Sequence, residues 1–168
     1  MAVDECMVPY FGHTRHTIKA PHKPIKQGYK IWTLGNYNYT YNWLWYSKAK
    51  GTEGLKSKSR ENIMADTQAL VLSLAKSLPD PACGYTLYLD NLFPSIPLAV
   101  KLGKLGIGIM NTTRLNTLGL PSSLIQLKRG KEILEWGHLR IAIIKRILCF
   151  LWQDNNWVLD MIIAYIFY

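Results

Sequence analysis

The segment Gly84–Val100, GYTLYLDNLFPSIPLAV, constrains the fold more than any other part of the sequence. Apolar side chains stand at every second position of YTLYL, which is the period of a half-buried β-strand. This strand ends on an acid, Asp90. After a short turn, Ser95 suits the N-cap of a helix, Pro97 suits its first turn and Gly106 suits its C-terminal stop. The segment therefore predicts a strand, a turn and a helix, with a carboxylate where the strand ends.

Other stretches of the chain predict more strands and a second helix. The predicted elements are strands at 1–11, 107–113 and 147–152, a hairpin across 29–46 with its turn at Gly35–Asn36, a mobile loop at 47–62 and a helix at 67–78. Strands that alternate with helices are typical of an α/β fold or a mixed sheet.

The composition favours a globular protein with a polyanionic partner. The chain has 168 residues and a formal net charge of +9, which suits nucleic acid, with an anionic membrane surface as the competing partner. Three widely spaced cysteines argue against a disulfide scaffold or a zinc ribbon. Near the C-terminus, Lys145, Arg146 and QDNN divide the apolar sequence into pieces shorter than the roughly 20 residues that a membrane helix needs.

Two acids, Asp4 and Asp90, fall inside apolar strand patterns, where a buried unpaired charge would be costly. If their strands are neighbours, the two carboxylates could hold Mg²⁺, which prefers oxygen ligands. A pair of such ions about 3.5–4 Å apart can activate a water or hydroxyl for phosphodiester cleavage. Alternatively, each aspartate ends its strand and binds backbone amides or a nearby lysine.

Residues 13–30, HTRHTIKAPHKPIKQGYK, carry four lysines, one arginine and three histidines but no acid. Such a run is either a solvated charged face or a surface that binds the phosphate backbone of DNA. The aromatic residues that follow, at 29–46, suit either hairpin packing or base stacking. Phosphate-binding loops and nucleophile-elbow motifs do not occur in the sequence.

Five short pieces of the chain, in order, resemble the piggyBac family of DNA transposases. These pieces are VDECMVPYFG, KPIKQGYKIW, YLDNLFPSIPLAVKL, the G-x-x-x-T-T-R-x-N-x-x-GLP segment Gly108–Pro121, and LCFLWQDNNWVL. The resemblance extends to about Leu159 and implies an α/β, RNase H-like catalytic domain, in which a mixed sheet is flanked by helices. Residues 1–115 would form its first part, 116–148 an insertion segment, and 149–168 the start of a returning strand with an aberrant tail.

The resemblance also implies site residues. Asp4 and Asp90 match the family's first two catalytic acids, which bind Mg²⁺ or Mn²⁺ in a site of the DDE/DDD type. Contacts with the DNA backbone are expected from Arg114 and from the basic stretch, through Lys19, Lys23, Lys26 and Lys30.

Some parts of the sequence depart from the family pattern. No match to the G-V-D-x-x-D-Q motif is present, so no third catalytic acid is predicted, and Asp154 in the W-x-D piece does not occupy that position. Pro94 replaces the usual Thr or Ser, and DMIIAYIFY after Leu159 does not follow the family. Both ends of the chain look cut.

We therefore expect a piece of a nuclear cut-and-paste transposase, truncated at both ends and inactive alone. Its expected partners are DNA and either a full-length transposase or a second copy of itself, with no membrane partner. One alternative is a non-catalytic remnant that still binds DNA, and another is a decayed reading frame without a stable fold.

Overall fold

The computed structural model describes residues 1–47, 51–52, 66–80, 83–130 and 135–163. The chain divides into two compact units, Met1–Leu78 and Pro79–Tyr168. Elements of the first unit are β1 (Ala2–Pro9), β2 (Ile18–Lys19), β3 (Gln27–Asn36), β4 (Tyr39–Ser47), β5 (Gly51–Thr52) and α1 (Asp66–Lys76). Those of the second are β6 (Thr86–Leu89), α2 (Ile96–Lys104), β7 (Gly108–Thr112), α3 (Ser122–Gly130), β8 (Leu139–Ile144), β9 (Ile147–Gln153) and β10 (Trp157–Ile163).

The first unit is an antiparallel sheet with the order β5-β4-β3-β1, and β2 also pairs with β3. Alternation along β1 buries Val3 and Met7, which belong to the same core as Trp32 and Leu34 of β3. Helix α1 confirms the predicted helical spacing, since Leu70 and its neighbours at that spacing are buried.

The predicted hairpin at 29–46 is confirmed, but its turn lies elsewhere. Residues Tyr37–Asn38 make the turn, and Tyr37 adopts a positive φ of 50°. Gly35 instead belongs to β3, where the register with β4 shifts between Leu34 and Gly35. A glycine followed by an asparagine can serve a bulge as well as a turn, so sequence alone placed the turn too early. Of the loop predicted for 47–62, Ser47 ends β4 and Gly51–Thr52 form β5, while the remainder lies outside the described residues.

The second unit is a mixed sheet with the order β6-β7-β10-β9-β8. Strands β6 and β7 are parallel, and the other neighbours are antiparallel. Helix α2 connects the two parallel strands and buries Leu98 and Leu102 completely. The predicted α/β class with a mixed sheet is confirmed, as are the strands at 107–113 and 147–152.

Helix α3 and strand β8 were not predicted, and both lie within the segment 116–148. Residues Leu139–Ile144 of β8 pair along their whole length with Ile147–Trp152 of β9, so this part of the segment extends the sheet. Among the described residues, no helix is both long and apolar enough to cross a bilayer.

Both ends of α2 have the structure that the sequence predicts. The Ser95 hydroxyl accepts a hydrogen bond from the Leu98 N–H at 3.2 Å, and Ser95 is fully buried. Pro97 lies in the first turn, and Gly106, just beyond the helix, adopts a φ of 74°. The cap therefore satisfies a helix N–H that would otherwise be buried without a partner.

Replacing Ser95 with Ala tests how much this cap stabilises the second unit. We expect Ser95→Ala to lower the free energy of unfolding by about 1 kcal/mol, because the Leu98 N–H loses its acceptor. Urea denaturation followed by circular dichroism would measure the loss. Ser73→Ala is the matched control, since Ser73 is exposed within α1 and its replacement should be neutral or slightly stabilising. Equal stability of Ser95→Ala and the native chain would contradict the role of the cap.

Candidate catalytic acids and nucleic-acid interface

Asp4 lies in the middle of β1, on the exposed side of the strand. Its neighbour Val3 is buried in the core, so the alternation of the strand turns the Asp4 side chain outward. The carboxylate oxygen Oδ1 accepts the N–H of Glu5 at 2.7 Å, and the Asp4 carbonyl accepts the Thr33 hydroxyl at 3.3 Å. Oxygen Oδ2 is not used in these bonds, which leaves a carboxylate oxygen for a ligand.

Asp90 follows the last residue of β6 and is also exposed. Its Oδ1 accepts the N–H of Asn91 at 2.7 Å, and its carbonyl accepts the N–H of Phe93 at 3.1 Å. Asp4 and Asp90 thus make the same local bond to the following residue. These bonds agree with the alternative in which each aspartate binds a backbone amide. Oxygen Oδ2 of each acid takes no part in them.

Arg114 lies beside Asn91, the residue after Asp90, because β6 and β7 are parallel. Leu89, the last residue of β6, is level with Asn111 of β7, so the loops after both strands meet at one edge of the sheet. There the Asn91 amide oxygen accepts two hydrogen bonds from Arg114, from Nε at 3.0 Å and from Nη2 at 2.8 Å. A guanidinium has five N–H donors, so Arg114 keeps donors for a phosphate while Asn91 fixes its orientation.

The two aspartates are exposed, so neither is a buried charge that a partner must compensate. From the sequence, an acid inside an apolar strand pattern was expected to be buried, but both side chains are exposed. Alternation alone lets a strand bury its apolar residues and keep an aspartate in water. Neither Asp4 nor Asp90 therefore needs a counter-ion for stability.

Glu5 is the carboxylate that binds lysines. Its side chain is 17% exposed and forms ion pairs with Lys23, at 2.6 Å, and with Lys30. Burial acts to raise the pKa of Glu5, but the hydrogen bonds and charges of the two lysines outweigh burial and lower that pKa below its ordinary value. The Lys30 ammonium also lies 4.0 Å from the centre of the Trp32 ring, a cation–π distance.

The four lysines predicted to bind DNA consequently divide into two pairs. Lys23 and Lys30 are held by Glu5, whereas Lys19 on β2 and Lys26 before β3 are exposed. No acid interrupts this stretch, so the exposed pair has no carboxylate from the stretch itself beside it. The pairing of Glu5 with two of these lysines was not predicted from the sequence.

In the second unit, sequence reasoning missed a half-buried acid, Asp160 in β10. Burial raises the pKa of Asp160, while a hydrogen bond from Trp152 and the charge of Lys128 act to lower it. Burial also lowers the pKa of Lys128, against the influence of Asp160. Desolvation exceeds the mutual attraction for both groups, so this pair contributes little net stability. Asp154, which was not predicted to be catalytic, accepts the Trp136 indole N–H at 3.2 Å.

Carboxylate oxygens are the ligands that Mg²⁺ and Mn²⁺ take, so the chemistry of Asp4 and of Asp90 fits a divalent cation. Among the residues that the structure describes, no three His, Cys, Asp or Glu side chains group as a metal site.

His16 has a different role, since its Nδ1 lies 2.8 Å from the Ser47 hydroxyl. The three cysteines are free thiols, and burial raises the pKa of Cys149 to about 11.

Comparison with known proteins identifies the family. The Transposase IS4 family model matches residues 1–166, so the chain belongs to this family of transposases. Human PiggyBac transposable element-derived protein 3 is 31% identical over 161 residues, which cover 92% of this chain and 25% of that protein. The human Chimeric ERCC6-PGBD3 protein is also 31% identical, over 92% of this chain and 14% of its own length. These relatives confirm the resemblance to piggyBac.

The fold agrees with this assignment. The cryo-EM structure of a piggyBac transposase synaptic complex with hairpin DNA superposes with a TM-score of 0.75 and 21% sequence identity. The superposition covers 97% of this chain and 32% of the transposase chain. This chain therefore has the fold of one part of a piggyBac transposase and spans a third or less of the proteins that it matches.

The Glu5 ion pairs predict a pH-dependent stability. A lowered folded-state pKa means that the stabilisation is present above the ordinary value of 4.5 and is lost as the pH falls through the folded-state value. We expect Glu5→Gln to lower the free energy of unfolding by about 1 kcal/mol at pH 7, a modest loss because the pairs are partly exposed. That difference should shrink as the pH falls below 4.5 and through the folded-state pKa of Glu5.

Denaturant titrations from pH 3 to pH 7 would measure this effect. Asp4→Asn is the matched control, because it removes the adjacent, exposed carboxylate and keeps the ion pairs of Glu5. A Glu5→Gln variant with the same stability as the native chain at pH 7 would contradict the role of the ion pairs.

Proposed function

We propose that this chain is part of the catalytic core of a piggyBac-type transposase, an enzyme that cleaves and rejoins DNA with a divalent metal ion. The observation that carries the proposal is the edge of the β6–β7 sheet, where Asp90 lies beside the Asn91–Arg114 pair. Such an edge offers a carboxylate for a cation and a guanidinium for a phosphate. Membership of a transposase family supports the assignment of this chemistry to DNA.

In this proposal Asp4 and Asp90 are the first two catalytic acids, and each would hold Mg²⁺ or Mn²⁺ through its Oδ2. When bound, the metal supplies an activated water or hydroxyl and stabilises the leaving oxygen of the phosphodiester. The protein side chains bind and orient the DNA: Arg114 contacts a phosphate, and its hydrogen bonds to Asn91 fix the plane of the guanidinium. The fold would be RNase H-like, with 1–115 as its first part and 116–148 as an insertion.

The absence of a match to the third-acid motif leads us to propose that this chain alone is inactive or nearly so. Each acid offers a divalent cation fewer ligands than the cation prefers, so the affinity of this chain for metal should be weak. Activity would then require further parts of a transposase or a full-length copy. We also propose a nuclear location, where the DNA substrate is.

The acid mutants test the catalytic proposal. We expect paramagnetic broadening by Mn²⁺ to centre on residues near Asp4 and Asp90 in NMR spectra of the native chain. Asp4→Asn or Asp90→Asn should weaken Mn²⁺ binding by roughly tenfold or more, because each removes a charged ligand. Any Mn²⁺-dependent nicking of supercoiled DNA should fall in parallel.

Asp66→Asn, in the first turn of α1, is the control, since Asp66 is exposed and is not a predicted ligand. Mn²⁺ binding or nicking that survives both Asp4→Asn and Asp90→Asn would reject these acids as the metal site.

A second candidate is DNA binding without catalysis. The exposed, acid-free pair Lys19 and Lys26 favours it, because such lysines attract phosphates whether or not a metal site is complete. The piggyBac transposase that shares this fold was solved as a complex with hairpin DNA, which supports DNA as the polyanion.

Salt dependence tests this second candidate and separates the two lysine pairs. Each phosphate contact contributes about 0.9 to the slope of log K against log salt on duplex DNA. We therefore expect Lys19→Ala/Lys26→Ala to reduce the slope by about 2. Lys23→Ala/Lys30→Ala should reduce it less and should also destabilise the first unit, because Glu5 loses its partners.

Fluorescence anisotropy with a labelled random-sequence duplex at several salt concentrations would measure these slopes. Lys76→Ala is the control, an exposed lysine in the last turn of α1. Replacing all four lysines should reduce the salt slope more than either double variant does. Binding of the native chain that does not change with salt would contradict the DNA-binding proposal.

A further inference from the structure

The turn between β8 and β9 has an unusual sequence for its conformation. Two residues, Lys145 and Arg146, connect the strands, and Ile144 pairs with Ile147 on either side of them. Both adopt a positive φ, 50° for Lys145 and 67° for Arg146. A two-residue connection with a positive φ at both positions is a type I′ turn.

Type I′ turns normally use Asn-Gly, Asp-Gly or Gly-Gly, because a side chain larger than asparagine is strained in the left-handed region. Lys-Arg contains neither of the residue types that relieve this strain. Local folding preference therefore does not account for these two residues. Strained residues of this kind concentrate at sites where the side chain itself has a function.

The rest of the fold does not account for them either. Both side chains are exposed. Within the part of the chain that the structure describes, neither side chain forms an ion pair or a hydrogen bond with another residue. At the tip of the turn, two cations that pair with none of the described residues are available to a ligand outside the chain.

The charge around the turn identifies the ligand class. The hairpin Leu139–Gln153 contains three cations, Arg140, Lys145 and Arg146, and no acid. Adjacent lysine and arginine side chains on a protruding turn suit successive phosphates of a nucleic-acid backbone, with the planar guanidinium binding one phosphate through two N–H groups.

We propose that Lys145 and Arg146 form a DNA-backbone contact, separate from the basic stretch 13–30 and from Arg114. The proposal depends on the DNA binding proposed above and adds a further contact at the β8–β9 turn of the mixed-sheet unit. It also explains the strain: the two cations are retained for phosphate binding at the expense of a more favourable turn.

Two double variants separate charge from conformation. Lys145→Asn/Arg146→Gly removes both charges and supplies the preferred turn sequence. We expect its Tm to rise by about 3 °C and its salt slope on duplex DNA to fall by about 2. Lys145→Gln/Arg146→Gln removes the charges without relieving the strain, so its slope should fall equally while its Tm stays unchanged.

Lys101→Gln/Lys104→Gln is the matched charge control, because it removes two exposed cations from the last turn of α2 in the same unit. Its salt slope should stay close to that of the native chain. All four proteins would be compared in one anisotropy series with the labelled random-sequence duplex, and their Tm values taken from circular dichroism melts.

Each outcome decides one proposal. If the native chain shows no salt-dependent binding, DNA binding itself is wrong, and this contact is wrong with it. If the native chain binds and both turn variants keep its slope, only the contact at the turn is rejected. A fall of the same size in the α2 control would show that net charge, and not the turn, determines affinity. A turn variant that binds with a reduced slope and a raised Tm supports both the contact and its conformational cost.

Discussion

Parallel pairing of β6 with β7 is the constraint on which the second unit depends. Parallel neighbours need a crossover, and α2 supplies it by burying Leu98 and Leu102 completely. The Ser95 cap and the positive φ of Gly106 fix where that helix begins and ends. With the crossover fixed, both strands end at the same edge, where Arg114 binds Asn91, the residue after Asp90. The chemistry proposed for this edge is thus a consequence of sheet topology, because 23 positions of sequence separate Asn91 from Arg114.

Glu5 and its neighbour Asp4 differ in exposure and in the partners of their carboxylates. Successive residues of β1 point to opposite faces, so one carboxylate is half-buried and the other lies in water. The half-buried acid takes two lysines, Lys23 and Lys30, and its pKa falls. The exposed acid takes only a backbone N–H through one oxygen. One strand can therefore carry a carboxylate that is available to a cation next to a carboxylate that is already paired with two lysines.

The sequence predicted those helices and strands that depend on local residue patterns. Helical spacing located α1, alternation located β1 and β6, and capping residues located both ends of α2. Contacts between residues far apart in the sequence could not be predicted. Glu5, for example, reaches Lys30 only because the β1–β3 register places Met7 level with Lys30. Strand β8 was missed because its apolar residues do not alternate with polar ones, and its turn because Lys-Arg carries no turn signal. Asp4 and Asp90 were first singled out by their strand patterns, whereas their expected catalytic role and Arg114 came from family motifs, which preserve such distant relationships.

A formal charge of +9 overstates the surface that this chain offers to a polyanion. Lys23 and Lys30 share one carboxylate, so that cluster presents a net single charge, and part of the donor set of Arg114 is used by Asn91. Cations that pair with no acid in the part of the chain that the structure describes, such as Lys145 and Arg146, release the most bound counterions when they meet a phosphate. The proposed affinity for DNA should therefore follow the number of uncompensated cations and their placement, and this number is smaller than the sequence total. The fold determines the number of uncompensated cations, because it places an acid beside some lysines and not beside others.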